Sequence, residues 1–264
     1  MKEVNNKKSP SHGLQMLNKV PEITLFFWVI KVLCTTVGET GADFLNETLN
    51  LGLDGVTLII GTILVVTLVF QFKSKKYIPG IYWLTVVLIS IVGTLITDNL
   101  TDNLGISLVT TTIIFTVSLA IIFAVWYKKE KTLSIHSIYT TKREAFYWLA
   151  VLFTFALGTA AGDLLAETID LGYLLSAIIF GALIVSVAIG RFGFKINAIL
   201  AFWIAYILTR PLGASIGDYL SQDLDNGGLG LGTVITSVIF LATILATVIY
   251  LTITKKDVIN KVSD

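Results

Sequence analysis

Eight apolar runs divide this chain, each about as long as a bilayer core is thick, with short polar or glycine-containing breaks between them. They fall at residues 22–43, 52–72, 79–98, 105–127, 145–163, 172–192, 196–218 and 230–253. A helix needs roughly 20 apolar residues to cross the hydrocarbon core. Lipid offers no partner to open backbone groups, so closed helices are the natural form of such runs. The pattern predicts an all-α integral membrane protein with eight transmembrane helices. Residues 1–20 are polar and lysine-bearing without an apolar centre; they do not read as a cleavable signal peptide and predict a cytoplasmic tail.

The polar breaks repeat. Trp28, Trp83, Trp148 and Trp203 each follow Phe or Tyr. Ten residues after each stands a glycine (Gly38, Gly93, Gly158, Gly213), and fifteen after stands an aspartate (Asp43, Asp98, Asp163, Asp218). Glu47, Asp102, Glu167 and Gln222 follow at nineteen, and a Leu-Gly pair then opens the next run at Gly52, Gly105, Gly172 and Gly230. The tryptophans are spaced 55, 65 and 55 residues apart, the longer interval holding "KKEKTLSIHSIYTTKRE". The chain is thus four tandem two-helix repeats. They form a first half over 21–127 and a second over 145–254, joined by a basic cytoplasmic linker at 128–144 and followed by a tail at 255–264. An even number of spans per repeat gives all four the same orientation, which puts the pseudo-symmetry axis along the membrane normal rather than in its plane.

With "FWVIK…GETGAD" and "AFWIAYILTRPLGASIGDYL" as its most specific portions, the stretch from about 20 to 252 resembles a family of bacterial multi-pass membrane proteins. These carry a tryptophan-containing, two-span repeat of unknown function, four times in tandem. The resemblance implies an eight-span membrane protein and supplies no activity.

Composition agrees: 55% of residues are hydrophobic and 14% charged, and mean hydropathy is +0.82, far into the membrane class. Placement of charge says more. Seventeen of the 19 Lys and Arg lie on the side of the two tails, the middle linker and the breaks after runs two and six; Lys31 and Arg210 lie inside runs. The positive-inside rule makes both termini and these loops cytoplasmic, in the cell membrane. The opposite side is acidic. Cys34 is the only cysteine, which excludes an internal disulfide, and His12 and His136 both sit in polar stretches, which argues against a histidine-built metal site.

Residues four apart share a helix face. Seven, eleven and fifteen after each tryptophan lie Thr35, Glu39 and Asp43; Ser90, Thr94 and Asp98; Phe155, Thr159 and Asp163; Arg210, Ala214 and Asp218. Beside this stripe runs a small-residue one, Gly38, Gly93, Gly158 with Gly162, and Gly213 with Gly217, of the kind that lets membrane helices approach closely. The four aspartates with Glu39 outweigh Lys31 and Arg210 by three formal charges, and carboxylates with hydroxyls are hard ligands suited to a divalent cation such as Mg²⁺, Ca²⁺ or Mn²⁺. Two readings stand. Glu39, Asp43, Asp98, Asp163 and Asp218, with Thr35, Ser90, Thr94 and Thr159, line a cation path, and Lys31 and Arg210 act as counter-ions or gate. Alternatively the acids cap short interfacial turns in a non-transporting scaffold or sensor whose basic face meets lipid or a partner. No Ser/His/Asp set, HExxH or phosphate loop is present, so the chain is not expected to be an enzyme. The expected partners are the bilayer and a small cation as substrate, with no resident cofactor and no nucleic acid. The pattern does not speak to oligomeric state.

Overall fold

The computed structural model describes residues 18–49 and 51–258, apart from the side chains of Glu47 and Thr48. His12 and most of the two tails lie outside it. Eight helices follow in order: α1 (Leu25–Asp43), α2 (Gly52–Lys73), α3 (Pro79–Asp98), α4 (Leu108–Glu130), α5 (Thr141–Asp163), α6 (Tyr173–Phe192), α7 (Ala198–Ser221) and α8 (Gly232–Thr254). All eight are long and apolar enough to span a membrane. The architecture is the expected all-α one of four two-helix repeats.

The first helices of the four repeats, α1, α3, α5 and α7, form a closed inner ring in which each packs on the two adjacent ones. The second helix of each repeat lies outside and packs on the inner helix of the following repeat: α2 on α3, α4 on α5, α6 on α7, and α8 back on α1. Burial separates the two sets, with 78% of the apolar window of α3 buried against 17% in each of α2, α4 and α6. Outer helices that are apolar all round and little buried within the chain suit a lipid surround.

The glycines set how tightly the ring closes. A Cβ on Gly38 would fall on the Ser90 side chain, one on Gly158 on the Arg210 side chain, and one on Gly213 on the Thr35 side chain. At Gly93 it would meet Phe155 Cβ at 2.7 Å and the Ala156 main-chain nitrogen at 3.1 Å. Each of these glycines therefore receives the residue seven after the tryptophan of the next repeat around the ring. Gly217 is similarly tight, at 3.2 Å from Thr40 Cγ2, whereas Gly162 has only ordinary contact, 3.6 Å to Pro211. The Leu-Gly glycines serve differently: Gly52, Gly105, Gly172 and Gly230 all take φ between 66 and 73°, the left-handed turn that leads into each outer helix.

The linker is shorter than its basic residues suggest. Thr140 accepts from the Arg143 amide and starts α5 at Thr141, four residues before the apolar run. Glu130 at the end of α4 pairs with Lys142 and Arg143, both at 2.9 Å. Beyond the inner ring at this end, Lys19 is fully buried, with its Nζ 2.6 Å from Glu144 and donating to the Phe72 carbonyl at 3.0 Å. Gln71 donates to the other Glu144 oxygen at 3.0 Å. Tyr77 donates to Asp257 at 2.5 Å, and the Glu22 amide to the Asp257 carbonyl at 2.9 Å. Burial, reinforced by that carboxylate, pushes the Tyr77 hydroxyl up, so it remains a donor at physiological pH. The segments that precede α1 and follow α8 are thus tied together at the basic face.

The glycine contacts predict a graded series. Gly93→Ala and Gly158→Ala force a methyl against main chain or a packed side chain and should each destabilise by about 1–3 kcal/mol. Gly162→Ala, with room for its methyl, should stay within about 0.5 kcal/mol of the parent. Thermal unfolding of the three variants in detergent measures the order.

Candidate functional site

The repeat register sets equivalent residues of the four inner helices in levels, four residues apart along each helix. The outermost level holds Asp102, Glu167 and Gln222. Next come Asp43, Asp98, Asp163 and Asp218. Then follow Glu39, Thr94, Thr159 and Ala214; below them Thr35, Ser90, Phe155 and Arg210; then Lys31, Val86, Val151 and Tyr206; and last Phe27, Tyr82, Tyr147 and Phe202. The first two levels and Glu39 line a cavity of about 210 Å³ at the acidic end of the bundle.

All four repeat aspartates line that cavity. One carboxylate oxygen from each of Glu39, Asp163 and Asp218 lies within 4.8 Å of the others. Two oxygens on opposite sides of a Ca²⁺ ion are roughly 4.6–5.2 Å apart, from ligand distances of 2.3–2.6 Å, so this spacing suits one hard cation. The capping alternative finds no support in the geometry: the side chains of Asp43, Asp98 and Asp163 make no cap hydrogen bond to the segment that follows them. The helix does not end at these residues. It continues through a five-residue π turn at Phe44–Thr48, Asn99–Asn103 and Leu164–Thr168, closed by bonds such as Leu104 N–H to the Asn99 carbonyl at 3.1 Å. In an α-helix four residues overshoot a full turn by about 40°. The wider π turn rotates less per residue, which keeps Asp102 and Glu167 over the aspartates instead of swinging them away. Repeat four differs, with α7 remaining α-helical past Asp218 to Ser221.

Arg210 pairs with Glu39, which lines the cavity. Its Nη2 lies 2.6 Å from Glu39 Oε2, 2.7 Å from Thr159 Oγ1 and within hydrogen-bonding distance of Thr94 Oγ1, which are the inward residues of the other three repeats. The fourth residue of that level is Ala214, a small buried side chain. Arg210 Nη1 donates to the Thr35 carbonyl at 3.3 Å, and the guanidinium is fully buried. Thr35 itself turns from the cavity and donates to the Thr209 carbonyl at 3.1 Å. Ser90 is buried on Gly38, with no partner for its hydroxyl among the described residues. Of the hydroxyls singled out by spacing, the structure therefore brings Thr94 and Thr159 to the Arg210 guanidinium, Thr94 also to Glu39, and keeps Thr35 and Ser90 at helix contacts.

Lys31 lies deeper and does not reach the carboxylates. Its Nζ sits 4.0 Å from the centre of the Phe155 ring and 4.2 Å from that of Tyr206, and donates to Thr209 Oγ1 at 3.3 Å. Cation–π faces and one hydroxyl replace a counter-ion here. Below it the axis is filled. Tyr82 and Tyr147 meet hydroxyl to hydroxyl at 2.5 Å, and Phe27 packs on Phe202 with ring centres 6.0 Å apart. The cavity, an acidic vestibule, lies at this end of the bundle, and beyond it Arg210, Lys31 and the aromatic rings are packed and buried.

Spacing had marked Glu39 and the aspartates; it did not single out Asp102, Glu167, Asn46 or Tyr173 as lining residues. Asp102 and Glu167 keep the register of the repeat, and that was the available signal. Tyr173 comes from an outer helix, which the inner stripe does not describe.

The lysine yields a sharp expectation. With no carboxylate to leave unpaired, Lys31→Met should keep the fold and be neutral or stabilising by about 1–4 kcal/mol, as when buried charge is replaced by a well-packed apolar side chain. A fall in melting temperature in detergent would show that the Phe155–Tyr206 cradle depends on the charge.

Comparison with known proteins adds the family. No curated protein and no solved structure matches the chain. The family model described as a Repeat of Unknown Function (DUF347) matches four times, at residues 26–77, 81–132, 146–196 and 201–257, one match for each inner helix with its outer partner. On that match, which follows the fourfold ring around the acidic vestibule, the chain is a member of the DUF347 repeat family of multi-helix membrane proteins.

Proposed function

We propose that this protein carries a small cation, a hard divalent metal ion above all, across the cell membrane, with the acidic vestibule as its outward-facing binding site and the basic end in the cytoplasm. The observation that carries this reading is the convergence of Glu39, Asp163 and Asp218 to within 4.8 Å at the base of a cavity ringed by further acids. Oxygen donors without thiolate or imidazole suit Mg²⁺, Ca²⁺ or Mn²⁺. The surrounding carboxylates raise the local cation concentration at the mouth. Seventeen of the 19 basic residues on the opposite side favour the cytoplasm for that end. Intramembrane acids that face a polar cavity rather than lipid are the usual mark of an ion pathway. The filled axis below Arg210 favours a carrier caught in one access state over an open channel. No enzymatic step is proposed for the site.

The same filled axis also supports a second reading, a membrane sensor or scaffold that binds a cation without passing it. Flux separates the two. In proteoliposomes screened with Mn²⁺, Mg²⁺ and Ca²⁺, a carrier moves at least one of them, and Asp163→Asn with Asp218→Asn lowers that flux by roughly tenfold or more while the protein stays folded. Binding of the cation with no flux in the parent protein selects the sensor. A double variant with unchanged binding and flux removes the vestibule from both.

A further inference from the structure

At the level seven residues after the tryptophan, three repeats bring Thr35, Ser90 and Phe155, and only the fourth brings a charge. Arg210 places that charge on the axis, among one carboxylate, two hydroxyls and a main-chain carbonyl, all oxygen acceptors. This is the donor chemistry of a hard-cation site, and a guanidinium tethered to α7 fills it. Two turns outward on the same helix, Asp218 is 8% exposed and lines the cavity, and its carboxylate makes no hydrogen bond or ion pair among the described residues. The chain thus presents two cation positions in series: an outer one with an unpartnered carboxylate and an inner one already taken. Glu39 belongs to both, since it pairs with Arg210 and converges with Asp163 and Asp218.

We infer that Arg210 is a built-in competitor that sets the cation selectivity of the vestibule. This inference rests on the cation reading above and deepens it. A cation bound against Asp163 and Asp218 competes with the guanidinium for Glu39, because two like charges held on one carboxylate repel each other. A divalent ion, attracted to the acids twice as strongly as a monovalent one, displaces the guanidinium; a monovalent ion only matches its charge. Pro211, next to Arg210 in α7, gives a locally weakened helix on which the side chain can shift.

The test is Mn²⁺ binding by isothermal titration calorimetry on the full-length protein in detergent, with and without Na⁺. Arg210→Gln should bind Mn²⁺ about tenfold more tightly and let Na⁺ compete about tenfold better, because the fixed charge is gone. Arg210→Lys keeps the charge and should stay within about threefold of the parent in Na⁺ competition. Thr94→Val with Thr159→Val, nearly isosteric, removes hydroxyl partners of the guanidinium but keeps its charge, and should tighten Mn²⁺ binding severalfold. Should Arg210→Gln not fold, the threonine pair decides by its sign: weaker binding would make the hydroxyls ligands or packing groups and overturn the competitor. Parent binding that Asp163→Asn with Asp218→Asn abolishes, but that Arg210→Gln or the threonine pair leaves unchanged or weakens, overturns this inference alone. A parent that binds no cation overturns the vestibule reading along with it.

Discussion

Main-chain proximity at four glycines governs everything else in this molecule. Gly38, Gly93, Gly158 and Gly213 each let the next inner helix come so near that a single methyl group has no place. In lipid there is no hydrophobic gain from burying one apolar helix against another, so association depends on dispersion contacts and interhelical hydrogen bonds, both of which need short distances. The close ring supplies both. It lets Thr35 donate to the Thr209 carbonyl of α7 and Thr97 to the Ala156 carbonyl of α5, at 3.1 and 3.0 Å. It also narrows the axis until one side chain, Arg210, touches three other helices. The glycines of the Leu-Gly pairs that lead into the outer helices are used for turning instead.

Two cations lie inside the spans and are accommodated by opposite means. Arg210 has a planar fork of donors and meets oxygen on several sides, one of them a carboxylate. Lys31, a compact ammonium on a flexible stem, is held against aromatic faces. The difference follows from level: the acids stop at Glu39, and below it the axis is lined by Phe155, Tyr206 and the Tyr82–Tyr147 pair. Carboxylates therefore crowd at the wet end of the ring, where seven of them line one opening, and aromatic rings occupy the dry end. A helix C-terminus normally disfavours a carboxylate. Continuation of α1, α3 and α5 into π turns moves that terminus past Asp43, Asp98 and Asp163.

Much of this was legible in the chain because membrane helices repeat their geometry faithfully. The tryptophan register located the inner helices, the four-residue stripe located the axial residues, and the glycines announced close packing. Partner choice was not legible. Nothing in the apolar pattern of α2 says that it packs on α3 of the next repeat, since a helix apolar all round has no preferred face. The π turns were hidden as well: "FLNET", "NLTDN" and "LLAET" read as the end of a span and the start of a turn, which made Asp102 and Glu167 look like loop acids. Spacing within one helix could place Glu39 and Arg210 on axial faces, but their pairing joins helices 171 residues apart. Lys19 was assigned to the tail by its polar neighbours; its burial against Glu144 depends on the α5 start, which the apolar run does not mark.

The closing contact of α8 on α1 has a consequence for how such a molecule can come to hold a single central charge. The ring has no privileged starting point, so four separate copies of one helical hairpin could in principle assemble the same way. Such an assembly would repeat every axial residue four times over, and four guanidiniums cannot occupy one point. Only fusion into one polypeptide frees each quadrant to diverge, so that one contributes arginine, another glutamate and two threonine. Covalent linkage thus turns a rotationally uniform ring into one with an asymmetric centre.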